Sequence, residues 1–228
     1  MAFSNVIDYL TLTNNTGNAA DKGDLTAARG YLAGCGGSDY TFFAGGDEGG
    51  GTHSNTIEYI SSSTSSGNST DRGDLDVAKY QLAAGTGTTY GFFAGGTSNS
   101  DVIQYITMSS TSGNASDKGD LTTGRNNLNS AGNDDRIFWA GGSSTLNVID
   151  YSTTTSSTSN AVDKGDLTVG RRGLAGASGD TNGFYTGGYV SSIQNVIDYT
   201  NYTTSTGNAT DKGDLAMTTV DHGGSPNN

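Results

Sequence analysis

The tract Gly-Asn-Ala-Thr-Asp-Lys-Gly-Asp-Leu at 207–215 sets Asn208, Asp211 and Asp214 around a glycine. Oxygen side chains at this density can ligate a hard cation, or two carboxylates can share a proton. An EF-hand loop needs ligands at alternate positions and a closing bidentate Glu. Here the oxygens stand three apart and no Glu follows. The tract is also not unique: Asp-Lys/Arg-Gly-Asp-Leu stands at 21–25, 71–75, 117–121, 163–167 and 211–215. Asp side chains accept nearby backbone N–H groups and Gly takes left-handed conformations, so five copies suit corners better than one active site. Asp21, Asp24, Asp71, Asp74, Asp117, Asp120, Asp163, Asp166, Asp211 and Asp214 are therefore read as structural turns, with calcium support of those turns left open.

The remaining chemistry-bearing residues are sparse. His53 and His222 lie in glycine-rich segments without a Cys or a second His at metal spacing. Cys35, the single cysteine, occupies a slot filled by small residues elsewhere in the chain and reads as a core residue. No nucleophile elbow, Walker loop or dinucleotide fingerprint occurs. The expectation is a protein that is not an enzyme, with no catalytic, cofactor or metal residue. A formal charge of −12 disfavours phosphate backbones, so no nucleic-acid partner is expected. No run approaches the ~18 apolar residues of a membrane span. The opening Met-Ala-Phe-Ser-Asn-Val-Ile-Asp-Tyr-Leu has neither a basic region nor a long apolar stretch, and reads as lacking a signal peptide.

What would position such residues is a repeat. Asn-Val-Ile-Asp-Tyr at 5–9 recurs in related wording at 55–59, 101–105, 147–151 and 195–199. Phe-Phe-Ala-Gly-Gly at 42–46 recurs at 92–96, 138–142 and 184–188. A basic residue, Arg29, Lys79, Arg125 or Arg171, follows each of the first four acidic tracts. It reads equally as an ion-pair partner of the neighbouring aspartates or as a solvated strand end. Each unit reads as four strands: a small-residue strand A starting at the basic residue, an aromatic strand B, strand C on Asn-Val-Ile-Asp-Tyr, and a brief strand D around Gly-Asp-Leu. Four strands per step of nearly fifty residues match the blade of a β-propeller. The fold expected is all-β, a single propeller domain over 1–228, with strand B aromatics filling the space between blades.

The strand count leaves closure open. Complete A-B-C-D sets run 26–75, 76–121, 122–167 and 168–215, preceded by a C–D pair at about 3–25. The tail 216–228 offers a degenerate strand A, with Thr219 at the basic position and His222 at the Leu position, but no strand B. Either five blades form with one incomplete composite blade, or four form and the first pair binds elsewhere, with self-association through open sheet edges. The B–C connections, 47–54, 97–100, 143–146 and 189–194, vary in length and chemistry on a constant frame. Asp47, Glu48, His53, Asn99, Tyr189 and Gln194 are the candidate contacts to a protein or a glycan.

The order basic residue, small strand, aromatic-Gly-Gly and hydrophobic strand ending in Tyr resembles a kelch repeat, apart from the missing strand D tryptophan. The Asp-x-Gly core resembles the Asp-box turn of sialidase-type propellers, again without its tryptophan. Across residues 5–215, the wording Asn-Val-Ile-Asp-Tyr, Thr-Gly-Asn-Ala-Thr-Asp-Lys-Gly-Asp-Leu and Phe-Ala-Gly-Gly is similar to tandem-repeat virion structural proteins of marine and cyanobacterial tailed phages. That resemblance implies a tail, fibre or capsid-decoration subunit in the virion, made in the host cytoplasm, whose partners are other virion proteins. The alternative is a lectin-like module that holds host glycans through the B–C loops.

Overall fold

The computed structural model describes residues 3–11 and 16–224. Strands β1 (Val6–Tyr9) and β2 (Ala20–Asp24) form an antiparallel pair. They are followed by β3 (Ala33–Gly36) and β4 (Tyr40–Ala44), a small hairpin of β5 (Asp47–Gly49) and β6 (Thr52–His53), then β7 (Thr56–Ser61) and β8 (Thr70–Asp74). The next unit holds β9 (Ala83–Thr86), β10 (Tyr90–Ala94), β11 (Val102–Thr107) and β12 (Ser116–Asp120). Then come β13 (Asn129–Gly132), β14 (Arg136–Ala140), β15 (Val148–Thr153) and β16 (Val162–Asp166). The last unit holds β17 (Ala175–Ser178), β18 (Asn182–Thr186), β19 (Gln194–Asn201) and β20 (Thr210–Thr219). Among the described residues the chain is all-β: four antiparallel four-stranded sheets in the order A-B-C-D, plus the two short pairs.

Alternation explains how these sheets stack. Strand residues point to opposite faces in turn, so a strand covered on both sides is apolar throughout. On β10, Phe92 and Phe93 are 0% and 2% exposed; on β14, Phe138 and Trp139 are both 0% exposed. Phe92 packs with Leu128, Ile137 and Trp139 of the following unit, whereas Phe93 packs with Phe42 and Ile57 of the preceding one. Each sheet is thus glued face to face to the next, and burying one such ring contributes roughly 1.5–3 kcal/mol.

The Gly-Gly pairs after strand B make a close joint between units. Gly141 has φ +66° and Gly142 φ +132°, and a Cβ on Gly141 would stand 2.4 Å from the Arg171 carbonyl oxygen of the next unit. Only glycine tolerates both the conformation and the approach. The second glycine of each pair donates to that neighbouring carbonyl: Gly46 to Lys79 at 2.8 Å, Gly96 to Arg125 at 3.0 Å and Gly142 to Arg171 at 3.0 Å. Gly188 repeats the contact with Thr219 at 2.8 Å, so the tail follows the path of a strand A entry.

Three expectations are corrected. Strand A does not begin at the basic residue; it begins four residues later, because Tyr31, Gln81 and Asn127 adopt φ values of 53–59° and break the extended run. The acidic tract is not a corner between strands but most of strand D itself. Asp71, Asp117, Asp163 and Asp211 each accept from the glycine N–H two residues on, at 2.8–3.0 Å. These local bonds sit where the C–D register shifts, so turn chemistry builds a bulge inside a strand. Asp24, Asp74, Asp120 and Asp166 use their backbone N–H instead, donating to Asn68, Asn114, Asn160 and Asn208 of the next unit at 3.0–3.1 Å. Asn208 therefore joins two units.

Third, the conserved-register cations do not pair with the Asp-Lys-Gly-Asp aspartates. Arg125 meets Asp150 at 2.9 Å and Arg171 meets Asp198 at 2.8 Å, all four side chains fully buried. Arg29 meets Glu58 at 3.3 Å. The acid comes from strand C of the same sheet, where Thr122 and Thr168 also donate to it at 2.5 and 2.6 Å. In the second unit that position is Gln104, and Lys79 turns to Asp76 at 3.2 Å. The basic residues inside the tracts run the other way, into the next unit: Lys118 donates to the Ser156 carbonyl at 2.5 Å and Lys164 to that of Thr206 at 3.0 Å.

Candidate functional site

The two residues after each basic position lead the chain to one end of the stacked sheets. There Tyr31, Gln81, Asn127, Gly173 and Asp221 share left-handed backbone, φ 52–61°. They form a ladder: Gln81 N–H donates to Tyr31, Asn127 to Gln81, Gly173 to Asn127 and Asp221 to Gly173, at 2.8–3.0 Å. Each rung comes from a different unit, and the backbone alone makes it. The side chains of Tyr31, Gln81, Asn127 and Asp221 are left to line the opening.

That opening is a depression of about 440 Å³ lined by Tyr31, Gln81, Asn127, Arg172, Tyr189 and Asp221, among others. Arg172 lies 5.2 Å from the Tyr189 ring centroid, and Tyr31 and Tyr80 are 6.4 Å apart. Aromatic faces, amides, a guanidinium and a carboxylate thus share one concave surface, the mixture that holds a polyhydroxylated or polar peptide ligand. Three residues further along strand A, Gly34, Ala84, Ser130, Gly176 and Gly224 line a narrower cavity of about 110 Å³. Small side chains leave room there for solvent but not for a sugar ring.

The B–C connections gather at the same end. Asp47 bridges the Gly30 backbone, and its Oδ1 accepts from Gly49 N–H at 2.8 Å. His53 is half-buried with its ring 4.4 Å from Tyr80, so it is packed rather than solvated. Asn99 accepts from the Ser143 hydroxyl at 2.6 Å, linking two successive loops. Gln194 belongs to β19 and holds the Ser192 carbonyl at 2.8 Å, while Glu48 is exposed. Of the six sequence candidates, only Tyr189 lines the depression. Sequence reasoning missed Tyr31, Gln81, Asn127, Arg172 and Asp221, although a fixed offset from the basic position marks four of them. Their variety hid them: the repeat preserves a backbone conformation there, and a different side chain stands at each.

Cys35 is 4% exposed, and burial raises its thiol to about 12, so it stays protonated and inert. Among the described residues, no three His, Cys, Asp or Glu side chains lie close enough to hold a metal ion, and no helix is long and apolar enough to cross a membrane. No protein-family model and no curated protein matches the chain.

Proposed function

We propose that the chain is a kelch-like, five-bladed β-propeller serving as a non-enzymatic subunit of a tailed-phage virion, which holds protein partners by its loop-bearing end. The five-fold reading is carried by one observation: positions 34, 84, 130, 176 and 224, one from each unit, line a common cavity. A straight stack would leave the first and fifth far apart. The first and last rungs, Tyr31 and Asp221, likewise meet in one depression. The fifth blade is then composite, with its strand A position held by the tail and strands C and D by β1 and β2. The virion setting rests on the wording of the repeat. Immunogold labelling of intact particles with antibody to the purified chain is expected to mark one discrete position on head or tail. Particles that carry none of the chain would overturn the virion assignment.

A second reading is favoured by the depression itself, whose aromatic and amide lining suits a host surface glycan. On a glycan array, the purified chain would then show saturable binding. Tyr31→Ala and Tyr189→Ala would each weaken it about tenfold, the usual loss for a truncated anchor. Wild-type levels in both variants would exclude this site.

A further inference from the structure

Among the described residues, the β1–β2 pair lacks what every other unit has, a strand B on the free edge of strand C. The other units show what that costs. Leu10 is 63% exposed, whereas its counterparts Ile60, Ile106, Ser152 and Thr200 are 8%, 1%, 2% and 2% exposed. Asp8 is exposed, and its carboxylate has no ion-pair or hydrogen-bond partner among the described residues. Its counterparts Glu58, Asp150 and Asp198 are fully buried on arginines. The basic position that would serve Asp8 is Thr219 in the tail. Beyond the vacant place stands the Arg29 carbonyl. The carbonyls of Lys79, Arg125 and Arg171 each accept from a Gly-Gly pair, but that of Arg29 accepts no backbone hydrogen bond among the described residues.

We propose that the free edge of β1 is a strand-acceptor site for an extended segment of a partner chain. The register of the complete units specifies the segment. In β10 on β11, Gly91 faces Ile106, Phe92 faces Tyr105, Phe93 faces Gln104 and Ala94 faces Ile103. Transferred to β1, a small residue faces Leu10, an aromatic faces Tyr9, the next residue faces Asp8 and a small residue faces Ile7. A Gly-Gly pair then reaches the Val6 and Arg29 carbonyls. Because no arginine of this chain serves Asp8, the residue opposite it is basic in the partner, which also suits a net charge of −12. Backbone hydrogen bonds supply the affinity, and the alternating side chains the choice of partner. This holds whether or not the five units close, and whether or not the setting is a virion.

The test uses the full chain and three labelled peptides, followed by fluorescence anisotropy and by hydrogen exchange of Val6–Leu10. Tyr-Gly-Phe-Arg-Ala-Gly-Gly is expected to bind one to one and to slow exchange across β1. The same peptide with Phe for Arg should bind about three- to fivefold more weakly, and Asp8→Asn should erase that difference. A version with proline in place of both the second and fourth residues, unable to donate to the edge, should not bind. Asp8 is exposed, so Asp8→Asn leaves the fold intact. Equal binding of the proline peptide, absence of binding at millimolar peptide, or occupation of the edge by a second copy of this chain on sedimentation would each overturn the proposal.

Discussion

Arg125 and Asp150 show how the repeat spends its charges. Burial works against the Arg125 guanidinium and lowers it from its ordinary value, while Asp150 opposes the shift through charge and a hydrogen bond. A buried pair is dear to break and cheap to replace, because removing one member strands the other. Arg125→Leu is expected to cost about 3–5 kcal/mol in urea unfolding. Arg125→Leu combined with Asp150→Leu should recover most of that loss. Recovery of none of it would mean that the pair does more than neutralise itself. The second unit already runs a weaker version: Gln104 is neutral, and Lys79 reaches a partly exposed Asp76 instead.

At the scale of elements, the strands were legible because aromatic and β-branched runs recur in register, and their assignment to B and C needed only alternation and the Gly-Gly stops. Strand D was harder to read. Asp-Lys-Gly-Asp has turn composition, and only the pairing of Ile149 with Gly165 and of Asp150 with Asp163 shows that Lys164 is the extra residue of a bulge inside a strand. The ion-pair partners were misread because the Arg side chain folds back under its own sheet, a direction that spacing does not encode. The tail was legible in part: Thr219 does stand at the basic position, and Asp221 provides the last rung. His222 pins it, with Nε2 2.9 Å from the Thr186 hydroxyl. Burial holds this imidazole below its ordinary value of 6.5, and the nearby Asp221 only partly compensates. Protonation is therefore easier in the released tail, so docking is at full strength above about pH 6.5 and weakens as pH falls through that value. Exchange at the Asp221 amide, corrected for intrinsic rate, should be faster at pH 5.5 than at pH 7.5. His222→Gln should remove the difference, and an unchanged ratio in that variant would sever the link to the imidazole.

At the scale of the whole molecule, the contacts between consecutive units repeat four times and leave matching halves at the two ends. Lys212 is exposed, although Lys22, Arg72, Lys118 and Lys164 are all buried in the following unit. A Cβ on Gly213 would meet nothing within 4 Å, whereas one on Gly165 would meet Asn208 at 2.8 Å. By register, the missing neighbour of Asp214 is Asn18, as Asn68 is of Asp24. If the ring closes as proposed, Asn18→Cys with Asp214→Cys should form a disulfide within one chain under mild oxidation, as Asn68→Cys with Asp24→Cys would. Disulfides only between chains would point to open arrays instead. Cys35 is buried and protonated, and should not interfere.

The left-handed ladder separates two jobs that most binding surfaces combine. Its rungs are peptide groups, so the hydrogen bonds of the ladder need no side chain from the tyrosine, glutamine, asparagine or aspartate standing there. Such a rim can be rewritten one residue per unit, giving new recognition without a new scaffold. A library randomised at Tyr31, Gln81 and Asn127 together would be a natural starting point for engineered binders.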